Sequence, residues 1–248
     1  MTIKSVQDTP ALRQLWEEAF GDPPEAIDAF FRTGFSAERS LCIWEAETPL
    51  AMLYWFDCRW QNRKIAYIYA VAVAKSCRGQ GLSRTLMDAA HNLLKTQDYA
   101  GCILVPADAG LFRLYEKLGY IACCPMTGKN ISAGQKCDTA PISASEYAQL
   151  RQGFLPENGV LQDEKALAFY STYGSFYRSG SSIFCAAQEK NALYIQEFLG
   201  DPALLPGLVA ALGCAEGTVF LPGGTPRAMY LSFSSDPALP GYFGIPLN

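Results

Sequence analysis

The stretch "AYIYAVAVAKSCRGQGLSRTLMDAAHNLLKT", residues 66 to 96, constrains this chain more than any other part of it. Up to Ala74 it is a run of apolar, β-prone residues that reads as a strand. From Leu82 the period lengthens: Leu82, Leu86, Ala90, Leu93 and Leu94 share one helical face, while Ser83, Arg84, Asp88, His91 and Lys95 share the other. That division predicts a solvated His91. Between strand and helix lie Gly79 and Gly81, bracketed by Arg78 and Arg84. A strand that turns through Gly-x-Gly into a helix aims several backbone N–H groups at one point, with the positive end of the helix dipole behind them. Glycine lets a ligand approach the backbone closely, and arginine suits phosphate. The alternative is a bare glycine-rich turn.

Two nucleotide cradles can be set aside. A P-loop needs Gly-Lys-Ser/Thr at the helix start, whereas Gly81 is followed by Leu82 and Ser83. A dinucleotide fingerprint needs a third glycine, where this chain has Arg84, and a parallel βαβ unit. The preceding residues 40 to 74 hold three β-prone runs split by Glu47-Thr48-Pro49 and by Gln61-Asn62-Arg63, which predicts an antiparallel meander. Before it, "ALRQLWEEAFGDPPEAIDAFFRTGF" predicts two short helices broken at Asp22-Pro23-Pro24. After it, "GCILVPA" predicts a buried strand and "DAGLFRLYEKLGY" a second helix, which a left-handed Gly119 would end.

The turn-rich "KNISAGQKCDTAPISAS" marks a boundary, giving domains at 1–134 and 135–248. Beyond it, "SASEYAQLRQGF" and "LQDEKALAFYSTY" read as helices, "SSIFCAAQEKNALYIQEFL" as a hairpin and "DPALLPGLVAALG" as a helix. "GTVFLPG", "AMYLSF" and "YFGIPLN" read as strands. This order echoes the first half, but no glycine-rich turn follows the hairpin. We expect a duplicated fold whose second copy lacks the cradle.

Half the residues are hydrophobic, no apolar run reaches the roughly 20 residues of a membrane helix, and the N-terminus has no signal-peptide pattern. A soluble, cytoplasmic protein without membrane association is therefore expected. Nine scattered cysteines read as free thiols. With one histidine and no C-x-x-C pair, no metal site is expected, nor a nucleophile resting on a Ser-His or Cys-His pair. The net charge of -4 argues against nucleic acid. Basic and acidic residues balance at 14 each up to residue 130, so the excess lies in the second half, where 6 basic face 10 acidic residues. An acidic half could steer a cationic substrate or simply confer solubility.

"VAVAKSCRGQGLSRTLM" resembles the acetyl-CoA signature of the GNAT acetyltransferase superfamily, Gln/Arg-x-x-Gly-x-Gly/Ala, met by Arg78 and Gly81, with Ser83 as a departure. "LYEKLGY" is similar to a second signature of that family, at the usual distance downstream. The resemblance implies an α/β (α+β) GNAT fold, a mixed, mostly antiparallel sheet flanked by helices, followed by a GNAT-like half without a cradle. Over the whole chain it looks like the enhanced-intracellular-survival type in shorter form. It implies that the backbone of Val71, Ala72 and Val73 pairs with the pantetheine arm of acetyl-CoA. It also implies that Arg78, Gly79, Gln80, Gly81, Leu82, Ser83 and Arg84 hold the pyrophosphate. Asp108 stands where the family often has an asparagine contacting CoA, and Tyr115 where a tyrosine often protonates the departing thiolate.

A phenol has an ordinary pKa of about 10 and can donate to a thiolate at neutral pH. Tyr115 also falls on an apolar stripe with Leu111 and Leu118, as a core residue would. Direct attack on a thioester needs a neutral amine, and Glu17, Glu18, Glu45 and Asp57 are base candidates by charge alone. In the enhanced-intracellular-survival group the terminal carboxylate can serve, which here would be that of Asn248. The expectation is an acetyl-CoA-dependent N-acetyltransferase acting on a primary amine of a small molecule or peptide. The amine would be held between the halves, near Tyr170, Tyr173, Phe176 and Tyr177. Against this stands a non-catalytic CoA-binding module. A second half that builds a homodimer or covers a sheet edge is a third reading.

Overall fold

The structure, a computed structural model, describes residues 1–246. The chain opens with β1 (Thr2–Lys4), α1 (Pro10–Phe20) and α2 (Pro24–Ala29), the last running into a π-turn at Phe30–Gly34. The Thr9 hydroxyl caps α1 by accepting from the Leu12 amide, and Pro10 fits the first turn. Gly21 ends the helix at φ +73°, its amide on the Glu17 carbonyl. The expected meander follows as β2 (Ser40–Glu45), β3 (Thr48–Trp60) and β4 (Arg63–Val73). Then come α3 (Leu82–Thr96), β5 (Gly101–Leu104), α4 (Ala109–Glu116) and β6 (Ile121–Ser132). As expected, Gly119 follows α4 in the left-handed region, at φ +89°.

The second half comprises β7 (Ala140–Ile142), α5 (Ala144–Phe154), β8 (Leu161–Gln162), α6 (Glu164–Tyr170) and β9 (Ser175–Ser179). It continues with β10 (Ser182–Glu189), β11 (Ala192–Leu199), α7 (Leu205–Ala211), β12 (Glu216–Pro222) and β13 (Thr225–Ser232). Two parallel pairings repeat: β4 with β5 around α3, and β11 with β12 around α7. The turn into α7 cannot copy the turn into α3. Asp201 already places a carboxylate on the Ala203 amide, and Pro202 and Pro206 have no amide hydrogen to offer.

All the strands join one sheet, in the order β1-β2-β3-β4-β5-β13-β6-β12-β11-β10-β9-β7, with β8 paired to β3. The halves exchange their last strands. β5 is flanked by β13 of the second half, Ile103 opposite Tyr230, and β12 is flanked by β6 of the first, Val219 opposite Lys129. β13 and β6 then pair with each other, Thr225 opposite Met126. β6 thus runs into the turn-rich stretch and through its first residues, up to Ser132, where Glu216 is its partner.

Strand alternation divides the core. Ala51, Leu53 and Trp55 of β3 pack with Leu86, Met87, Ala90 and Leu94 of α3, while Met52, Tyr54 and Phe56 pack with Trp16, Phe30 and Phe169 on the other face. With both faces covered, β3 is almost wholly apolar. Under the second half lies a buried ion pair, neither partner exposed: Arg151 of α5 donates Nε to Glu197 Oε2 at 2.7 Å and Nη2 to Oε1 at 2.9 Å. The hydroxyls of Tyr147 and Tyr242 donate to the same carboxylate, at 2.7 and 3.0 Å. Such a pair is sustained only when its lone pairs are filled in this way.

Three expectations need correction. "YFGIPLN" is not a strand over its described part: both edges of β13 are already paired, and the segment is fixed instead by one isolated bridge, Tyr242 to Gly159 with the Val160 amide on the Tyr242 carbonyl, and by side chains. Tyr242 reaches Glu197, Phe243 packs on Tyr67 at 4.9 Å, and Gln162 donates to the Gly244 carbonyl. "LQDEKALAFYSTY" begins as the short strand β8, and only Glu164–Tyr170 is helical. Asp163 explains the break, because its carboxylate caps the helix at the Ala166 amide.

His91 is also not solvated. It is buried, with Nε2 2.9 Å from the Tyr120 hydroxyl and its ring 5.9 Å from that of Phe233. Phe233 follows β13, so the strand exchange covers a helix face that would otherwise meet water. Among the described residues all nine cysteines are free, and no helix is long and apolar enough to cross a membrane.

A chain stopped at Lys136 would lack β13 and β12, leaving β6 without partners and one edge of β5 open. We expect it to show no cooperative thermal transition and to elute as aggregate in size exclusion, whereas a folded monomer would contradict the exchange. Burial pulls the His91 imidazole down to about 4. The unfolded chain then binds a proton below about 6.5 that the folded chain refuses until about 4. Stability should therefore be full above pH 6.5 and fall as pH drops through that window. Urea titrations of a His91→Asn variant should show a flatter dependence between pH 6.5 and 5.

Candidate active site

β4 parts from β5 partway along its length. The parallel register runs Ile65–Gly101, Ala66–Cys102, Tyr67–Ile103 and stops, so residues 68 to 73 have no β5 partner. A bulge accompanies the parting. Opposite β3 the register jumps between Met52–Ala72 and Tyr54–Tyr69, and Ala70 sits at φ +51°. A non-glycine residue there marks a re-aimed strand. The Ala74 amide bonds the Leu50 carbonyl, and Ala72 lies opposite Met52, so alternation commits Ala72 to β3 and turns the backbone groups of Val71 and Val73 into the gap.

Beyond the gap, Gly79 and Gly81 adopt φ +77° and +78°, and a Cβ on either would meet nothing within 4 Å. Gly81 is the N-cap of α3 and has no side chain to offer its amides. The first amide with an intrahelical acceptor is that of Thr85, on the Gly81 carbonyl at 3.0 Å. The amides of Leu82, Ser83 and Arg84 are therefore orphan donors facing an open concavity. These residues fit a pyrophosphate. Around the concavity the side chains are exposed: Arg78 folds back to donate Nε to the Val73 carbonyl at 3.3 Å, Gln80 donates to the Ser76 carbonyl at 3.4 Å, and Arg84 lies 3.9 Å from Asp88.

A cavity of about 320 Å³ fills the gap between the strands. Ile68 to Val71 of β4 line one wall, and Leu104 to Ala107 with Leu111 and Tyr115 line the other. Its far end is aromatic: Trp16 and Phe20 of α1, Tyr67 and Tyr69 of β4, and Tyr173 after α6, with Asp22 among them. Tyr115 is buried, with its ring 5.6 Å from Tyr120, and no protein atom accepts from or donates to its hydroxyl among the described residues. Burial pushes its phenol up to about 12.

Several candidates lie elsewhere. Asp108 caps α4, its Oδ1 accepting from the amides of Gly110 and Leu111 at 2.6 and 2.9 Å. Glu17 and Glu45 are exposed, Glu18 accepts from the Lys75 amide, and Asp57 is held by Tyr99 and Arg39. None of those four carboxylates lines the cavity. Asn248 lies outside the described residues. Of the four aromatics of the second half only Tyr173 reaches the cavity: Tyr170 and Phe176 are core, and Tyr177 stacks on Phe184. Sequence reasoning missed Asp22 and the bulge at Ala70. The only local signal at Asp22 is a helix break, which explains an aspartate without a site.

Residues 4–123 match the family model described as an acetyltransferase (GNAT) domain. The whole fold is similar to solved structures at low identity. A GCN5-related N-acetyltransferase from Anabaena variabilis is 17% identical with a TM-score of 0.72, over 92% of this chain and 72% of that one. Eis1 from Mycobacterium abscessus is 11% identical with a TM-score of 0.66, over 91% and 66%. A GCN5-related N-acetyltransferase from Sphaerobacter thermophilus is 11% identical with a TM-score of 0.56, over 97% and 98%. A comparison with curated proteins returns no match.

The open glycines give a direct test. Ala at position 81 would take a left-handed conformation costing roughly 1–2 kcal/mol, and its Cβ would stand in the concavity. We expect Gly81→Ala to weaken acetyl-CoA binding by about tenfold or more in calorimetry, equivalent to roughly 1.4 kcal/mol, while the protein stays folded. Residues 4–123 are thus an acetyltransferase domain of the GNAT superfamily, and the chain as a whole shares its fold with solved GCN5-related N-acetyltransferases.

Proposed function

We propose that this protein transfers an acetyl group from acetyl-CoA to a primary amine of a small molecule or peptide by direct attack. The observation that carries the reading is the continuous gap between β4 and β5. Past the end of β4 lie the orphan amides of α3, the cavity in the gap ends among aromatic rings, and Tyr115 lines its wall. Acetyl-CoA supplies an activated acyl group as a thioester. Leu82, Ser83 and Arg84 would hold its pyrophosphate through their amides, with Arg78 and Arg84 adding charge at the rim. The backbone groups of Val71 and Val73 would pair with its amide-bearing arm as an added strand does.

In the transfer the acceptor ammonium first loses one proton to water, since only the neutral amine has a lone pair. Nitrogen attacks the carbonyl carbon, the C–N bond forms, the C–S bond breaks, and the nitrogen gives up its second proton to solvent as the neutral amide forms. Tyr115, which lines the cavity, would give its hydroxyl proton to the departing thiolate and regain one from solvent. Its raised pKa keeps it protonated for that role, and its unshared hydroxyl has no competing partner. Apolar walls of Val71, Leu104, Val105 and Leu111 would limit water at the thioester.

Replacing Tyr115 by Phe removes the proton and keeps the ring. We expect kcat for CoA release with an amine panel to fall about 10²- to 10⁴-fold, with affinity for acetyl-CoA unchanged. Full activity would remove Tyr115 from the mechanism. Tight acetyl-CoA binding by the wild type with no CoA release for any amine would instead favour a binding module.

A further inference from the structure

The aromatic end of the cavity has one charge. Among the described residues its lining contains no lysine, arginine or histidine, and Asp22 is its only carboxylate. Asp22 is half-buried and accepts one hydrogen bond, from Trp16 Nε1 to Oδ2 at 2.8 Å. No cationic side chain pairs with it among the described residues, although other partly buried carboxylates such as Asp57 and Asp163 share Arg39. Its charge reaches the ring side chains around it. Burial and then Asp22 push the Tyr173 phenol up to about 12, and Asp22 is among the groups that raise Tyr69. Neither tyrosine is therefore a competing anion at neutral pH.

Rings surround this carboxylate. Trp16 lies 5.5 Å from Phe20 and 5.9 Å from Tyr69, Tyr69 lies 5.8 Å from Tyr67, and Tyr173 lines the same space from the second half. Aromatic faces attract an ammonium through the ring quadrupole, most strongly where water is scarce. A negative pocket walled by rings repels carboxylates and phosphates and gives a neutral head little to bind. About 320 Å³ for the whole cavity admits a small head on a slim stem.

From this we infer that the acceptor is a small primary amine on a short apolar stem, taken up as its ammonium, with Asp22 and the rings of Trp16, Tyr69 and Tyr173 as its recognition site. The inference rests on the transfer reading above and assigns its acceptor end. Asp22 is here a specificity residue, and the Trp16 indole, bonded to it, reports on its occupancy. The Gly21 turn that ends α1 presents Asp22 to the cavity, and Pro23 and Pro24 fix the chain beyond it.

The test follows the Trp16 indole N–H by ¹⁵N NMR in the full-length protein, assigned with Trp16→Phe, during titration with n-butylammonium, n-butanol or butyrate. Butylammonium should shift the signal saturably, and the alcohol and the carboxylate at equal concentration should not. Asp22→Asn keeps an acceptor for the indole and so keeps the fold. It should weaken butylammonium by about tenfold or more and leave acetyl-CoA binding as it was. Equal shifts with butanol, or undiminished ammonium binding by Asp22→Asn, would overturn the assignment. CoA release separates it from the reading beneath it. Ammonium binding with no CoA release defeats transfer and leaves the site standing. Release that is as fast with a neutral aromatic amine as with butylammonium, and insensitive to Asp22→Asn, defeats the site and leaves transfer standing.

Discussion

The parting of β4 from β5 is the constraint on which the rest of the molecule depends. Two parallel strands that paired along their whole length would leave no unsatisfied backbone and no cavity. Here pairing ends after Tyr67 and Ile103, and the bulge at Ala70 turns the remainder of β4 aside. The cost is a positive φ at a residue with a Cβ and a row of unpaired backbone groups in a half-buried place. Both are tolerable where a ligand completes the ladder. The orphan amides of α3 follow the same logic, because a helix start capped by Gly81 with no side chain leaves its donors for something else.

Holding two strands apart needs support on every other side. β5 is only four residues long, and it is secured from behind by β13 of the second half. Beneath the sheet, the Arg151–Glu197 pair ties α5 to β11, and through Tyr242 it ties in the C-terminal segment whose Phe243 packs on Tyr67. Tyr67 itself lines the cavity. The half without a cradle thus contributes the strands that flank β5 and β6, packing by Phe169, Phe233 and Phe243, and one lining residue, Tyr173, to the half that has one.

Much of this could be read from residues 66 to 96, because the change from an apolar strand to a 3.6-residue period is local, and so are the two glycines that mark the turn. The meander and the helix ended by Gly119 were readable for the same reason. What escaped is non-local or unmarked. His91 lies on the polar face of α3 by periodicity, yet Phe233, more than a hundred residues away, covers it. The Ala70 bulge carries no glycine to announce it. Asp22 has a sufficient local role as a helix breaker, and only the folded cavity brings it among Trp16, Tyr69 and Tyr173.

The exchanged strands also set an order of events during synthesis. β5 is complete at Leu104, but the strand that flanks it begins at Thr225. At about 5–20 residues per second the ribosome needs roughly 6 to 24 s to make the intervening chain. For that interval a short apolar strand stands beside an open edge, in a nascent chain whose cradle sequence is already made but whose frame is not. A duplicated half that appears redundant in chemistry is then the step that ends this exposure, and its loss would leave the first half unable to finish folding.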